Sequence, residues 1–175
     1  MAVRLNHTIV AARDRDASAT FLTEILGLPS PLILGPFAVV QVGDGTSLDF
    51  METASDIVSQ HYAFLVTEVE FDEIYARIWE RHLPYWADPY RQHRDQINGW
   101  DDGRGLYFDD PNGHLLEIIT RPYGSGGTTA SKPHPLVATT LATHDANADR
   151  PPEADRPPEK EKTGGGDLAS AERQR

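Results

Sequence analysis

The sequence predicts an α+β fold in which two βαβββ modules form a cup of curved mixed sheets, followed by a C-terminal tail. A histidine opens an apolar, strand-like run twice, at His7 and His61, and an acidic residue follows seven positions later, at Asp14 and Glu68. Each run continues into an amphipathic segment and then into two strand-like segments around a turn. This repeat predicts two similar halves related by pseudo-twofold symmetry.

The first half spans about residues 4–53. Its helical segment, residues 17–29, carries apolar side chains on one face and ends at Gly27, a residue favoured at helix ends. The strands that follow are Phe37–Val42 and Thr46–Met51, around the turn 43–45, with Leu28–Leu34 as a weaker candidate.

The second half spans about residues 58–123. Its helical segment, residues 69–84, has apolar residues at i, i+3, i+4, i+7 and i+8, and Pro84 is expected to end it. The predicted strands are Pro84–Ala87, which is weaker, Gly105–Phe108 and His114–Thr120.

The second half also contains a long loop, Asp88–Gly103, which is rich in aromatic and polar residues. Loops of this length are usually functional or disordered. We interpret it either as a lid or as a surface loop with an anchoring tryptophan. As a lid it would carry the following residues toward a substrate: Tyr90, Arg91, Arg94, Asn98 and Trp100.

Composition excludes several classes of protein. The 175 residues include 16 basic and 27 acidic side chains, a formal charge of −11, which argues against nucleic acid or an anionic membrane as a partner. The absence of cysteine excludes disulfides, zinc-thiolate sites and a cysteine nucleophile. No apolar run reaches the roughly 18 residues of a membrane-spanning helix, and the N-terminus resembles a strand more than a signal peptide, so we expect a soluble, cytoplasmic protein.

The tail is predicted to begin after the domain formed by residues 1–124. Residues 125–175 contain no aromatic side chain and are interrupted by Pro-Pro pairs and a Gly run. Such a segment buries too little apolar area to offset its ordering entropy, so disorder is expected. No role is assigned to His134 or His144 within it.

The candidate chemistry follows from the repeat. His7 and His61 open the first strand of each half, and Asp49 and Glu117 lie on the last strand, each four residues after a turn glycine. Pseudo-symmetry would bring all four side chains together inside the curved sheets. Two imidazoles with one or two carboxylates on different strands suit a divalent metal ion with open coordination positions.

The stretch 105–117, GLYFDDPNGHLLE, resembles the terminal motif of the vicinal oxygen chelate superfamily, which includes glyoxalase I, bleomycin-resistance proteins and extradiol dioxygenases. The resemblance covers about Leu5–Tyr123. It implies paired βαβββ modules, a metal held by His7, His61 and Glu117, and a small substrate bound through adjacent oxygens. The metal would be Fe, Mn, Ni, Co or Zn. The resemblance also implies a homodimer, in which modules are sometimes exchanged between chains.

Other site residues are assigned within the same framework. Asp49 stands where some members have Glu or Gln as a fourth ligand, and it is either a ligand or a general base. Tyr107 is expected to donate a hydrogen bond to a substrate oxygen, and Asn98, Trp100 and Arg104 are candidates for substrate binding. A salt bridge to Asp101, Asp102 or Asp110 is the alternative for Arg104.

Three function classes remain open at this point. The first is a Lewis-acid isomerase or lyase of the glyoxalase type. The second is a small Fe(II) dioxygenase of the extradiol type, and the third is a metal-free ligand-binding protein of the bleomycin-resistance kind. Fosfomycin modification is disfavoured. Ile9 stands where the fosfomycin-resistance enzymes of this superfamily have a threonine, and residues 1–124 contain no lysine to match the one with which those enzymes bind their substrate.

Overall fold

The computed structural model describes residues 3–43, 45–127 and 129–136. These residues form two four-stranded sheets and two α-helices. The first module consists of β1 (His7–Ala12), α1 (Arg15–Leu26), β2 (Leu32–Leu34), β3 (Phe37–Gly43) and β4 (Thr46–Glu52). The second consists of β5 (His61–Leu65), α2 (Glu68–Glu80), β6 (Tyr85–Trp86), β7 (Gly105–Asp109) and β8 (Leu115–Ile119).

The two sheets have the same topology. Their strand orders are β1-β4-β3-β2 and β5-β8-β7-β6. In each, the first strand of the module runs parallel to its last strand, which is therefore central. The registers are equivalent, since His7 pairs with Ser47 and His61 pairs with Leu115, in each case two residues before the acidic residue. The predicted α+β architecture of paired βαβββ modules is confirmed.

Local sequence sets the ends of both helices. Asp14 caps α1 by accepting a hydrogen bond from the Ala17 amide, and Gly27 ends it with a left-handed φ of 71°. Thr67 and Glu70 form a capping box at the start of α2. The end predicted at Pro84 is wrong, because α2 ends at Glu80, and the chain turns at His82, whose φ is 54°.

The alternation of side chains along the strands divides each sheet into two faces. One face packs against the helices and forms the core, and its fully or nearly fully buried members include Val10, Phe50, Leu106, Phe108, Leu116 and Ile118. The helices contribute Leu22, Ile25, Phe71, Ile74 and Ile78 to the same cluster. The opposite faces carry the predicted site residues, so the core leaves them available for chemistry.

A buried histidine joins the two modules. His114 is 1% exposed, its Nε2 lies 2.9 Å from the Ala11 carbonyl of β1, and its Nδ1 accepts a hydrogen bond of 3.0 Å from the Gln60 amide. Because the carbonyl only accepts, Nε2 carries the proton. Asn112 also crosses between the modules, donating to Ser18 Oγ and accepting from the Arg13 amide.

The first residues of the predicted tail are ordered in the structure. Residues 125–127 and 129–136 return across the 3₁₀ helix Trp100–Asp102, where hydrogen bonds to Asp101 and Asp102 hold them. The prediction of disorder from Ser125 differs here because it considers apolar burial alone, whereas polar contacts order this stretch. The rest of the predicted tail, including His144, lies outside the described residues. In the described part of the chain, no helix has both the length and the apolar character needed to cross a bilayer.

The junction can be tested by replacing His114 with leucine. His114→Leu leaves the Gln60 amide and the Ala11 carbonyl, both partly shielded from water, without their partner, at about 1–2 kcal/mol for each group. We therefore expect the free energy of unfolding, measured by urea denaturation, to fall by about 2–4 kcal/mol. Glu80→Leu, at an exposed helical position at the end of α2, is the control. Equal urea midpoints for His114→Leu and wild type would show that the junction does not stabilise the protein.

Candidate metal and ligand site

Glu117 lies at the centre of the second sheet. Its strand β8 is flanked by β5 and β7, and Glu117 pairs in register with Ala63 on one side and Tyr107 on the other. Its side chain projects from the face opposite the core and is 0% exposed. A carboxylate removed from water in this way requires polar or charged partners.

His61 is the first of these partners. Its Nε2 lies 3.2 Å from Glu117 Oε2, and its Nδ1 lies 3.0 Å from the Leu115 carbonyl. Because a carbonyl only accepts, Nδ1 carries a proton and donates a hydrogen bond to Leu115. Nε2 is therefore the ring nitrogen that faces the carboxylate. The hydrogen bond with Glu117 is the largest cause raising the pKa of His61 above its usual value, and desolvation opposes it.

Two tyrosines complete the surroundings of the carboxylate. Tyr123 donates a hydrogen bond to Glu117 Oε2, and its hydroxyl lies 3.5 Å from that of Tyr107. Burial, followed by the hydrogen bond to Glu117, raises the pKa of Tyr123 to about 12 and raises that of Tyr107 well above its usual range. Both phenols are therefore protonated at neutral pH and can donate hydrogen bonds.

A cavity of about 440 Å³ opens over this group. Its wall is rich in aromatic rings and prolines, with His61, Tyr107 and Tyr123 at the carboxylate. The remaining lining residues come from the long loop and from the chain after β8: Asp88, Pro89, Tyr90, Gln92, His93, Trp100, His134, Pro135 and Leu136. The size and the apolar, aromatic wall are typical of a small-molecule site.

The donor set fits a divalent metal ion. Glu117 Oε1 is buried and has no hydrogen-bond partner among the described residues. Leaving such an acceptor without a partner costs about 1–3 kcal/mol, and more for a charged group. In the neutral tautomer set by Leu115, His61 Nε2 and Glu117 Oε2 are both acceptors, so either a proton on Nε2 or a metal cation completes this contact. A cation bound by His61 and Glu117 would satisfy both conditions.

The other two predicted ligands lie in the first sheet. Within the described residues of a single chain, no three His, Asp or Glu side chains are close enough to hold a metal ion together. His7 is exposed, with Nδ1 2.8 Å from Asn6 Oδ1, and Asp49 accepts a 2.7 Å hydrogen bond from Ser47 Oγ. The structure therefore brings His61, Glu117 and Tyr107 together, and it does not bring His7 or Asp49 to them within one chain.

The three predicted substrate-binding residues have different surroundings. Trp100 lines the cavity, with its ring centroid 6.4 Å from that of Tyr107. Asn98 does not line it; its amide donates to the Ala87 carbonyl, and it covers Gly105 so closely that a Cβ there would lie 2.8 Å from Asn98 Oδ1. Its geometry is that of a loop-bracing residue.

Arg104 also lies outside the cavity lining. Its guanidinium donates to Glu68 Oε2 at 2.6 Å and to Asp72 Oδ1 at 2.5 Å. It also lies over the Phe71 ring at 4.4 Å. Arg104 thus ties β7 to the start of α2. The alternative prediction, that Arg104 forms a salt bridge, is confirmed. Its partners are Glu68 and Asp72 of α2 and not the predicted aspartates of the neighbouring loops.

The predicted lid loop is built on a buried carboxylate. Asp88 accepts hydrogen bonds from the Tyr90, Gln92 and His93 amides. This network presents Tyr90 to the cavity, while Arg91 turns away and pairs with Asp109 at 2.6 Å. The loop therefore lines the cavity with Tyr90 and Trp100 and with residues 88, 89, 92 and 93, and neither of its arginines belongs to this lining.

Comparison with known proteins identifies the family of the chain. The family model of the glyoxalase/bleomycin resistance protein/dioxygenase superfamily matches residues 4–118. The chain belongs to this superfamily. The resemblance seen in the sequence is thereby confirmed.

Members of the superfamily with different activities are similar to this chain. The solved structure of the oxidase ChaP-H1 is 60% identical, with a TM-score of 0.70, and the match covers 71% of this chain and all of that one. The oxidase ChaP-H2 is 58% identical with a TM-score of 0.71, over 73% of this chain and all of that one. The glutathione transferase FosA of Serratia marcescens is 31% identical over 65% of this chain and 78% of its own length.

Tyr123 and His134 are among the cavity residues that sequence reasoning did not single out. Tyr123 follows the last strand and belongs to no periodic pattern. His134 stands between Pro133 and Pro135, and this restriction of the backbone was the one local signal for order. Neither residue lies within the family match, which ends at residue 118.

The metal assignment predicts the behaviour of two variants. His61→Ala and Glu117→Ala should each lower the affinity for Mn(II) by more than about 100-fold, since removing an outer-shell partner already costs 10–100-fold. Calorimetric titration of chelator-treated protein measures the affinity, and circular dichroism checks that the fold is kept. His82→Ala, at an exposed position outside the cavity, should bind Mn(II) like wild type. Full metal occupancy in either site variant would refute the assignment.

Proposed function

We propose that this protein is a divalent-metal-dependent oxidase that acts on a small, flat substrate carrying adjacent oxygens. The observation that carries the proposal is the buried Glu117 carboxylate, with one oxygen lacking a partner among the described residues, beside a histidine whose tautomer presents Nε2 to it. The oxidase activity is inferred from the similarity to the oxidases ChaP-H1 and ChaP-H2.

The proposed metal ligands are His61 and Glu117 of one chain and His7 of a second copy. A two-histidine, one-carboxylate set with open positions is typical of non-haem Fe(II) enzymes that use dioxygen. When bound, the metal would supply a Lewis acid for the substrate oxygens and, as iron, a centre for electron transfer to dioxygen. Mn, Ni, Co and Zn suit the same donors.

The second copy is supported by the surface around His7. On the same face of the first sheet, Ile9, Leu32 and Leu34 are 50%, 64% and 68% exposed. Apolar residues grouped in this way are typical of an interface. We therefore propose a homodimer in which the first sheet of one chain faces the second sheet of its partner, so that His7 and Asp49 approach the cavity.

The chain's own residues have distinct roles in this proposal. The hydrogen bond from His61 Nδ1 to the Leu115 carbonyl fixes Nε2 as the ligating atom. Tyr123 holds Oε2 of Glu117 and leaves Oε1 for the metal. Tyr107, kept protonated by its raised pKa, donates a hydrogen bond to a substrate oxygen. Asp49, oriented by Ser47, accepts a proton from the substrate.

The cavity wall supports the substrate class. Trp100, Tyr107, Tyr123 and Tyr90 surround it with aromatic rings, and such rings favour stacking on a flat, unsaturated ligand while excluding water. A volume of about 440 Å³ accommodates two or three fused rings. The proposed substrate is therefore a catechol, a polyphenol or a hydroxyquinone.

Oxygen uptake tests the activity. Full-length protein loaded anaerobically with Fe(II) should consume dioxygen with 2,3-dihydroxynaphthalene or 1,2-dihydroxyanthraquinone, and Glu117→Ala should reduce the rate to background. The alternative is a glyoxalase-type isomerase or lyase. It would turn over the hemithioacetal of methylglyoxal and glutathione without oxygen and with Ni(II) or Zn(II). Such turnover, together with no oxygen uptake by the iron form, would overturn the oxidase proposal.

Mixing inactive variants tests the shared site. His7→Ala and His61→Ala are each expected to be inactive, but a mixed dimer retains one site with His7 from one chain and His61 with Glu117 from the other. Random exchange should restore about a quarter of the wild-type sites. The matched control mixes His61→Ala with Glu117→Ala; these residues belong to one sheet, so no site is restored. Equal recovery in both mixtures, or recovery in neither, would contradict the shared site.

A further inference from the structure

A short segment after the family match forms one wall of the cavity. Residues 125–127 and 129–136, called here the C-terminal strap, lie beyond residue 118, where the match to the superfamily ends. The strap contributes His134, Pro135 and Leu136 to the cavity lining. Its contacts therefore add a feature to the site that the superfamily core does not supply.

Two adjacent aspartates hold the strap in place. The Asp101 amide donates to the Lys132 carbonyl at 2.7 Å, and Asp101 Oδ1 accepts from the His134 amide at 3.3 Å. Both carboxylate oxygens of Asp102 accept from the Ser131 amide at 3.0 Å. Asp101 and Asp102 both have left-handed backbones, with φ of 55° and 58°, which aspartate tolerates better than most residues.

The strap delivers a buried histidine to the cavity. His134 is 4% exposed, and its ring centroid lies 4.3 Å from that of Tyr123 and 4.7 Å from that of Trp100. Its Nδ1 accepts a hydrogen bond from the Leu136 amide at 3.3 Å, so the proton of the neutral ring lies on Nε2. This Nε2 is buried and has no hydrogen-bond partner in the part of the chain that the structure describes.

We propose that His134 is a substrate-binding residue whose Nε2–H donates a hydrogen bond to an oxygen of the bound ligand. A buried donor without a partner is rare in folded proteins, and a ligand oxygen in the cavity would supply the acceptor. Tyr123 contacts Glu117 through its hydroxyl and His134 through its ring. The Glu117 carboxylate and the His134 ring are therefore separated by about the width of one aromatic ring. The ligand is then a flat polycyclic compound with adjacent oxygens at Glu117 and a further oxygen one ring away.

This inference rests on the proposed function, since it concerns a ligand of the same cavity. The experiment therefore compares two probes by calorimetric titration of full-length protein in the Zn(II) form, in which the probe is not oxidised. 1,2-Dihydroxyanthraquinone has adjacent hydroxyls and carbonyls on the neighbouring ring. 2,3-Dihydroxynaphthalene has the adjacent hydroxyls alone.

His134→Phe keeps the ring contacts with Tyr123 and Trp100 and removes Nε2–H. It should weaken binding of the anthraquinone roughly tenfold, the effect of one well-placed hydrogen bond, and leave binding of the naphthalene unchanged. The matched variant His134→Gln carries an amide nitrogen near the position of Nε2 and should restore most of the anthraquinone affinity. Zinc content should stay at the wild-type level in both variants.

A second variant acts on the strap from a residue that does not itself line the cavity. Asp102→Ala removes the acceptors of Ser131 and should also weaken anthraquinone binding, because it releases the segment that positions His134. Asp16→Ala, an exposed aspartate on α1, is its control and should bind both probes like wild type.

The outcomes separate this inference from the proposed function. Equal affinity of wild type and His134→Phe for the anthraquinone, or equal weakening for both probes, would overturn the role of His134 while leaving the metal site in place. Wild-type protein that holds zinc but does not bind the anthraquinone would overturn it as well. Wild-type protein that takes up no divalent metal would instead contradict the proposed function.

Discussion

The burial of the Glu117 carboxylate is the constraint on which the second module depends. Its position on the central strand excludes water from both sides, and the strand register places His61 and Tyr107 on its flanks. Desolvation makes an anion costly there unless donors or cations surround it. The Tyr123 hydroxyl and the His61 ring meet part of this requirement, and the remaining oxygen is the position at which a cation would be held.

The sequence was sufficient to predict the fold because the repeat, the strand pattern and the helix signals all indicated the same architecture. The repeated histidine, the alternating strands and the capped helices each indicated the same βαβββ unit, and the strand registers of His7 with Ser47 and His61 with Leu115 agree with that repeat. Element ends were less accurate. The helix before Pro84 ends early because residue 82 adopts a left-handed backbone, which no apolar periodicity reveals.

The site was predictable only in part, because its residues depend on contacts between distant segments. His61 and Glu117 share a sheet, so strand pairing alone brings them together. His7 and Asp49 lie in the other sheet, and pseudo-symmetry does not specify whether two halves face each other within one chain. Arg104 was assigned to substrate on charge, yet two acidic residues of α2 take up its guanidinium. His134 was overlooked because its segment is held by hydrogen bonds to Asp101 and Asp102, which the apolar pattern of the sequence does not reveal.

The Leu115 carbonyl has a further consequence for the first strand of the second module. Because this backbone group belongs to β8, the orientation of the His61 ring depends on the pairing of two strands and not on a neighbouring side chain. Substitution of side chains around the ring therefore leaves the tautomer unchanged. A shift of one residue in the register of β5 against β8 would instead remove the hydrogen bond that fixes it. Evolutionary drift at nearby positions can thus reshape the pocket while the imidazole keeps the same nitrogen available for coordination.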